Sequence, residues 1–237
     1  MLEKHGIQKS ISKAKRKYTL NENYFDEIDT PNKAYILGFL YADGYNNRIN
    51  NSVVLSLSKE DREILEKISE EIGSNKPLFE SNYVNKDDGM ERHMLILTMA
   101  SKHMCESLEK WGLTQNKTFT ITFPDFLKED LIPHFIRGYF DGDGCACNTT
   151  DKGRLRFQIT LMSSTQFCER LKNYLETQNI HFHINQPLRK SEKNKVIRSG
   201  SNKELPKFIN LIYKDADLYL NRKRNKCYAY LETKQVN

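Results

Sequence analysis

Two ten-residue segments of this chain repeat each other: Tyr35-Ile36-Leu37-Gly38-Phe39-Leu40-Tyr41-Ala42-Asp43-Gly44 and Phe135-Ile136-Arg137-Gly138-Tyr139-Phe140-Asp141-Gly142-Asp143-Gly144. Their offset is 143 − 43 = 100 residues. In each, one Gly stands six positions before a second, aromatic and aliphatic side chains lie between them, and an Asp immediately precedes the closing Gly. A repeat of this length in a 237-residue chain means two copies of one structural unit, each large enough to bury its own core.

The order of elements after each segment also repeats. Ser52 to Ser58 largely alternates polar with apolar and predicts a half-buried strand. Lys59 to Ile72 places Ile64, Leu65, Ile68 and Ile72 at helical spacing, and Gly73 ends the run. The second half gives a strand over Arg154 to Leu161 and a helix over Thr165 to Leu175. Further strands are predicted at Pro77 to Val84, Met94 to Met99, His181 to Leu188 and Lys195 to Ser199, with helices at Lys102 to Trp111 and Glu204 to Lys214. The pattern is helix, two strands, helix, two strands, helix, written twice: an α+β fold of two pseudo-symmetric αββαββα repeats with antiparallel sheets. Residues 1–30 form a basic N-terminal arm, 31–125 the first repeat and 126–237 the second.

Lys and Arg number 37 against 31 Asp and Glu, a net charge of +6, which favours a polyanionic partner. Basic residues cluster at Lys13-Ala14-Lys15-Arg16-Lys17 and at Arg222-Lys223-Arg224. The five cysteines are scattered, and Cys145-Ala146-Cys147 has the wrong spacing for a zinc finger, so reduced thiols are expected. With no long apolar run and no apolar segment at the N-terminus, an intracellular protein is expected.

Gly38 and Gly138 sit inside helix-like runs, where Gly costs about 1 kcal/mol relative to Ala. Close helix crossing is the compensating reason. Helices crossing through these glycines bring Asp43 and Asp143 together at one end, and two carboxylates there suit a divalent cation, Mg²⁺ above all.

The pair of segments resembles the signature helices of the LAGLIDADG homing endonucleases in their double-motif, single-chain form, aligned without gaps over Ile36–Gly44 and Ile136–Gly144. Tyr41 stands where the name-giving motif has its first Asp, and Asp141 keeps it in the second copy. The resemblance implies that Asp43 and Asp143 bind catalytic Mg²⁺ (other divalent metals are possible), with backbone carbonyls of Ala42 and Gly142 as further ligands. It implies an active-site lysine at Lys117, in Gly112-Leu113-Thr114-Gln115-Asn116-Lys117, and a partner at Lys223, with Arg222 and Lys226 as alternatives. It also implies saddle-shaped sheets over roughly 20 base pairs of double-stranded DNA, a long asymmetric site cut to leave short 3′ overhangs.

A DNA-reading surface is also predicted by strand alternation. Arg154, Arg156, Gln158 and Thr160 share one face, and Arg and Gln suit base edges in the major groove. Asn46, Asn47, Arg48, Asn50, Ser52 and Ser56 are the first-half counterparts, while Lys190, Lys193, Lys195 and Arg198 extend the second-half surface. Two motifs in one chain make a monomer sufficient. The leading expectation is a site-specific DNA endonuclease; the competing ones are an intron RNA maturase or a non-catalytic DNA-binding regulator of the same fold. Asp141-Gly142-Asp143-Gly144 lacks the ligands of a calcium loop, with Cys145 at the third ligand position.

Overall fold

The structure is a computed structural model and describes residues 16–115, 117, 121–151, 153–186 and 194–235. The first repeat runs α1 (Pro31–Asp43), β1 (Gly44–Asn47), β2 (Ser52–Ser58), α2 (Arg62–Glu71), β3 (Phe79–Val84), β4 (Glu91–Ala100) and α3 (Lys102–Lys110). The second runs α4 (Ile132–Asp143), β5 (Cys145–Asp151), β6 (Arg154–Ser164), α5 (Thr165–Thr177), β7 (His183–Asn185), β8 (Asn194–Ser199) and α6 (Glu204–Tyr213), and α7 (Asn221–Gln235) comes last. Each repeat forms a four-stranded antiparallel sheet, of order β1-β2-β4-β3 and β5-β6-β8-β7. This is the mixed helix and sheet fold that the sequence predicts.

Local chemistry fixes several boundaries. Thr30 caps α1 by accepting from the Lys33 N–H, with Pro31 at the first turn. Ser101 and Ser164 cap α3 and α5 in the same way, through the N–H groups of Met104 and Phe167. The helix predicted from Lys59 opens instead with a 3₁₀ turn, Lys59–Asp61, before α2 begins.

Two strands that the predicted pattern counts without bounds, and one helix beyond that pattern, are defined only by the structure. Strands β1 and β5 are a short Gly/Asn segment and a Cys/Thr segment, neither with a clear apolar alternation. Helix α7 carries no apolar stripe, and it holds its place by packing on β5 and α6. Its Tyr230 ring stacks on Phe157 at 4.6 Å.

One face of each sheet is covered by helices. In the first, Val53, Leu55, Leu57, Leu95, Leu97 and Met99 point into the core, and α2 and α3 pack there. In the second, Ile159, Leu161 and Ile197 are buried beneath α5. Leu155, which strand alternation assigns to the covered face, is 72% exposed near the strand end.

The two repeats meet through α1 and α4. Every residue from Ala34 to Tyr41 is buried, so α1 is enclosed on all sides. A Cβ on Gly38 would lie 2.1 Å from the Phe135 carbonyl oxygen, and one on Gly138 would lie 1.9 Å from that of Tyr35. Backbone therefore meets backbone at the crossing, which is the close approach that the two glycines predict. At the helix ends, Gly44 and Gly144 donate to the carbonyls of Leu40 and Phe140 while turning the chain directly into β1 and β5.

Candidate active site and nucleic-acid interface

The crossing delivers Asp43 and Asp143 to one place. Both carboxylates are open to solvent at the ends of α1 and α4, while protein crowds their remaining sides. A Cβ on Gly142 would lie 2.2 Å from that of Ala42 and 3.1 Å from Asp43 Oδ2. Burial, and then the neighbouring Asp143 charge, push the Asp43 carboxyl up to about 6. Burial also raises Asp143, against the lowering pull of Lys117 and Lys223.

Both predicted lysines arrive at this point by matching routes. Lys117 Nζ donates to the Ala42 carbonyl at 3.1 Å and the Gly44 carbonyl at 2.6 Å. Lys223 Nζ donates to the Gly142 carbonyl at 2.7 Å and the Phe140 carbonyl at 2.8 Å. Each lysine is thus docked on the motif carbonyls of its own repeat. Burial lowers both amines, that of Lys223 to about 8. For Lys117 the largest opposing influence is Asp143 of the other repeat. Lys117 and Asp143 line a small cavity of about 80 Å³ together with Ala42, Tyr139, Ser163 and Asn194.

The choice among Arg222, Lys223 and Lys226 is resolved by helix rotation. Arg222 makes a two-pronged ion pair with the buried Asp61, with Nε to Oδ1 at 2.9 Å and Nη2 to Oδ2 at 3.0 Å. Lys226 lines a separate groove beside β5 with Tyr230 and Lys234. Of the three, Lys223 is the one that turns to the motif carbonyls.

Among the described residues no cluster of three or more His, Cys, Asp or Glu side chains stands ready for a metal. The donor set here is of another kind: two carboxylates with the main-chain carbonyls of Ala42 and Gly142 beside them. Each carbonyl oxygen carries two lone pairs, so accepting from a lysine leaves capacity for a cation. All-oxygen donors of this kind fit Mg²⁺.

Strand register defines the uncovered faces, since directly paired residues point the same way. In the second sheet Thr149 pairs with Arg156, Cys147 with Gln158 and Thr160 with Arg198, so Arg156, Gln158, Thr160 and Arg198 share the open face. Arg154 has the same parity, and its side chain lies outside what the structure describes. Ser56 lies on the open face of the first sheet opposite Ile96, whereas Ser52, predicted to face DNA, has the same parity but is buried. Asn50 is exposed in the β1–β2 turn, where Asn47 accepts its backbone N–H.

Three predicted DNA-facing residues are elsewhere. Asn46 pairs with Val53 and points into the core, donating to the carbonyls of Cys105 and Leu113. Arg48 turns towards α3 and pairs with Glu106 and Glu109. Lys195 has the parity of the buried Ile197, opposite to Arg198. Lys190, Lys193 and residues 1–15 of the basic arm lie outside the described residues. Missed by the sequence reading were Phe79, Tyr83, Arg92 and Thr98, which register places on the open face of the first sheet. Phe79 and Tyr83 are 64% and 51% exposed there. The alternation in β4 signals this face, once its pairing with β2 is known.

Comparison with known proteins agrees with this geometry. Residues 130–226 match the family model described as a LAGLIDADG-like domain. The I-LtrWI LAGLIDADG homing endonuclease bound to target DNA superposes with a TM-score of 0.55 at 14% identity, covering 91% of this chain and 92% of that one. The homing endonuclease I-WcaI bound to its DNA recognition sequence gives 0.57 at 16% identity, covering 86% and 91%. Full-length DUF199/WhiA from Thermatoga maritima gives 0.51 at 17% identity, covering 90% of this chain and 66% of that one. No curated protein matches the chain in sequence. The chain has the LAGLIDADG fold in two repeats, and its second repeat matches the model of a LAGLIDADG-like domain.

Proposed function

We propose that this protein is a site-specific endonuclease that hydrolyses one phosphodiester bond in each strand of a long, asymmetric DNA duplex, acting as a monomer. The observation that carries the reading is the joint placement of Asp43 and Asp143 with a lysine docked beside each motif. A DNA-binding protein without chemistry has no need of paired carboxylates raised by burial at one shared point, nor of two partly desolvated amines next to them.

Asp43 and Asp143, with the carbonyls of Ala42 and Gly142, would hold divalent cations where the scissile phosphates pass. Bound Mg²⁺ supplies Lewis acidity towards phosphoryl oxygens, an acidified water and charge stabilisation at the leaving oxygen. The protein's own residues do the rest. The helix crossing fixes the spacing of the two carboxylates before substrate arrives, so little reorganisation is needed. An ammonium has three N–H donors, and Phe140 and Gly142 take two from Lys223. The third serves a phosphate oxygen or an attacking water. With its amine lowered to about 8, Lys223 can also exchange that proton near neutral pH.

The open sheet faces supply recognition. Arg156, Gln158, Thr160 and Arg198 offer donors to base edges and phosphates of one half-site, and the first sheet offers Ser56, Thr98 and exposed aromatic rings to the other.

The test is incubation of the protein with a randomised duplex library, with and without Mg²⁺, then sequencing of new ends. Defined ends with short 3′ overhangs that need Mg²⁺ support the reading. Sequence-selective binding without new ends would favour the regulator, and selective binding of structured RNA in preference to duplex DNA the maturase.

A further inference from the structure

Lys117 and Lys223 occupy matching places, but the repeats hold them by different chemistry. In the second repeat the buried face of α4 grips the connection between α6 and α7. Asp141 accepts hydrogen bonds from Tyr213 Oη at 2.7 Å, the Leu220 N–H at 2.8 Å and Tyr35 Oη at 2.9 Å. One turn earlier on the same helix, Arg137 donates to the carbonyls of Leu218 at 2.8 Å and Ile212 at 2.9 Å, with its guanidinium over the Tyr35 ring. The carbonyl of Leu220 then accepts from the N–H groups of Lys223 and Arg224, which makes Leu220 the residue from which α7 departs. Asp141 therefore fixes the N–H of the residue whose carbonyl begins the turn that carries Lys223.

At the matching positions of the first repeat stand Leu37 and Tyr41, so neither charge is present. The Tyr41 hydroxyl instead donates to the carbonyl of Trp111, where α3 ends and the chain departs towards Lys117. The adjacent Gly112, in the left-handed region at φ +90°, leaves room for that hydroxyl, since a Cβ there would lie 2.4 Å from it. One structural task, anchoring the chain that delivers the lysine, is done by a carboxylate in one repeat and a phenol in the other.

We propose that Asp141, supported by Arg137, is the positioning residue for Lys223, that Tyr41 is the positioning residue for Lys117, and that the two lysines are therefore placed separately at the shared pair of carboxylates, one for each strand. The part concerning cleavage rests on the nuclease reading. The part concerning lysine placement does not.

Two measurements on the full chain test it, using Asp141→Asn, Tyr41→Phe and the milder Tyr213→Phe. The first is reductive methylation with formaldehyde and a borane, with the labelling rate of each lysine read by peptide mass mapping. Asp141→Asn should raise labelling of Lys223 about tenfold, the effect of a local opening made easier, and leave Lys117 unchanged. Tyr41→Phe should do the reverse, and Tyr213→Phe should act on Lys223 alone with a smaller effect. General destabilisation would raise both lysines together in every variant, and that pattern, or no change at Lys223 in Asp141→Asn, overturns the proposal.

The second measurement is strand-resolved cleavage of a supercoiled plasmid bearing a selected site. Asp141→Asn should accumulate circles nicked in one strand, and Tyr41→Phe circles nicked in the other. Equal slowing of both strands by both variants contradicts separate placement of the two lysines. If the wild type cuts nothing, the nuclease reading fails and the labelling result alone decides the positioning.

Discussion

Gly138→Ala probes the geometry on which the whole site depends. The added Cβ would sit 1.9 Å from the Tyr35 carbonyl oxygen, with the Phe39 nitrogen at 2.8 Å. Ordinary carbon contacts lie near 3.5 Å, so the helices must part by roughly 1.5 Å or tilt by an equivalent amount. The obstacle is backbone and cannot rotate away, which places the cost towards the upper end of the usual 1–3 kcal/mol for overpacking. Alanine recovers about 1 kcal/mol of helix propensity. The net expectation is a loss of about 1–2 kcal/mol in urea unfolding, or a fall in Tm of about 2–8 °C for a chain of this size. Gly200→Ala is the control, because its Cβ would meet the nearest atom at an ordinary 3.5 Å. A Gly138→Ala protein as stable as Gly200→Ala would refute the account of the crossing.

Other consequences come from the same contacts. The fold raises Asp43 to about 6, so its favourable contribution to stability is present below the unfolded carboxyl value near 4 and is lost as pH rises through 6. In metal-free buffer Asp43→Asn should therefore be no more stable than wild type at pH 4 and more stable at pH 8, read as urea midpoints; an advantage confined to acid pH would contradict this sign. Arg222→Met should cost about 1–2 kcal/mol by stranding the buried Asp61 carboxylate, a value discounted because the Arg222 side chain is 47% exposed. Asn46→Ala should destabilise by about 1–3 kcal/mol by orphaning two buried carbonyls, without altering the salt dependence of DNA binding. Arg156→Ala should weaken DNA binding with a shallower salt slope, measured by fluorescence anisotropy.

The repeat and its glycines were legible because the constraint there is local: a helix crossing at backbone contact accepts only glycine, and a helix ending in Asp-Gly leaves the carboxylate at its tip. The long strands and amphipathic helices were legible from periodicity. Helix α7 was not, because the one face that it buries carries Lys223, Cys227 and Tyr230, a mixed set that does not stand out as an apolar stripe in Asn221–Gln235. Whether Arg222 or Lys223 faces the site was equally hidden, since neighbours on a helix diverge by about 100° and only the departure of α7 from Leu220 sets the rotation. Asn46 and Lys195 were misplaced for one reason: facing on a strand depends on parity within the ladder, and the pairings Asn46 with Val53 and Ser163 with Lys195 are tertiary facts.

The central claim is that Asp43 and Asp143 together form a metal-dependent cleavage centre. Its most direct test is single-turnover cleavage of a library-selected duplex in Mg²⁺ by the wild type, Asp43→Asn and Asp143→Asn, with binding of each protein measured on the same duplex. The account predicts that both variants bind as tightly as the wild type and that double-strand cutting is lost in both, by at least about 10²-fold in rate. Full cutting by either variant would contradict it.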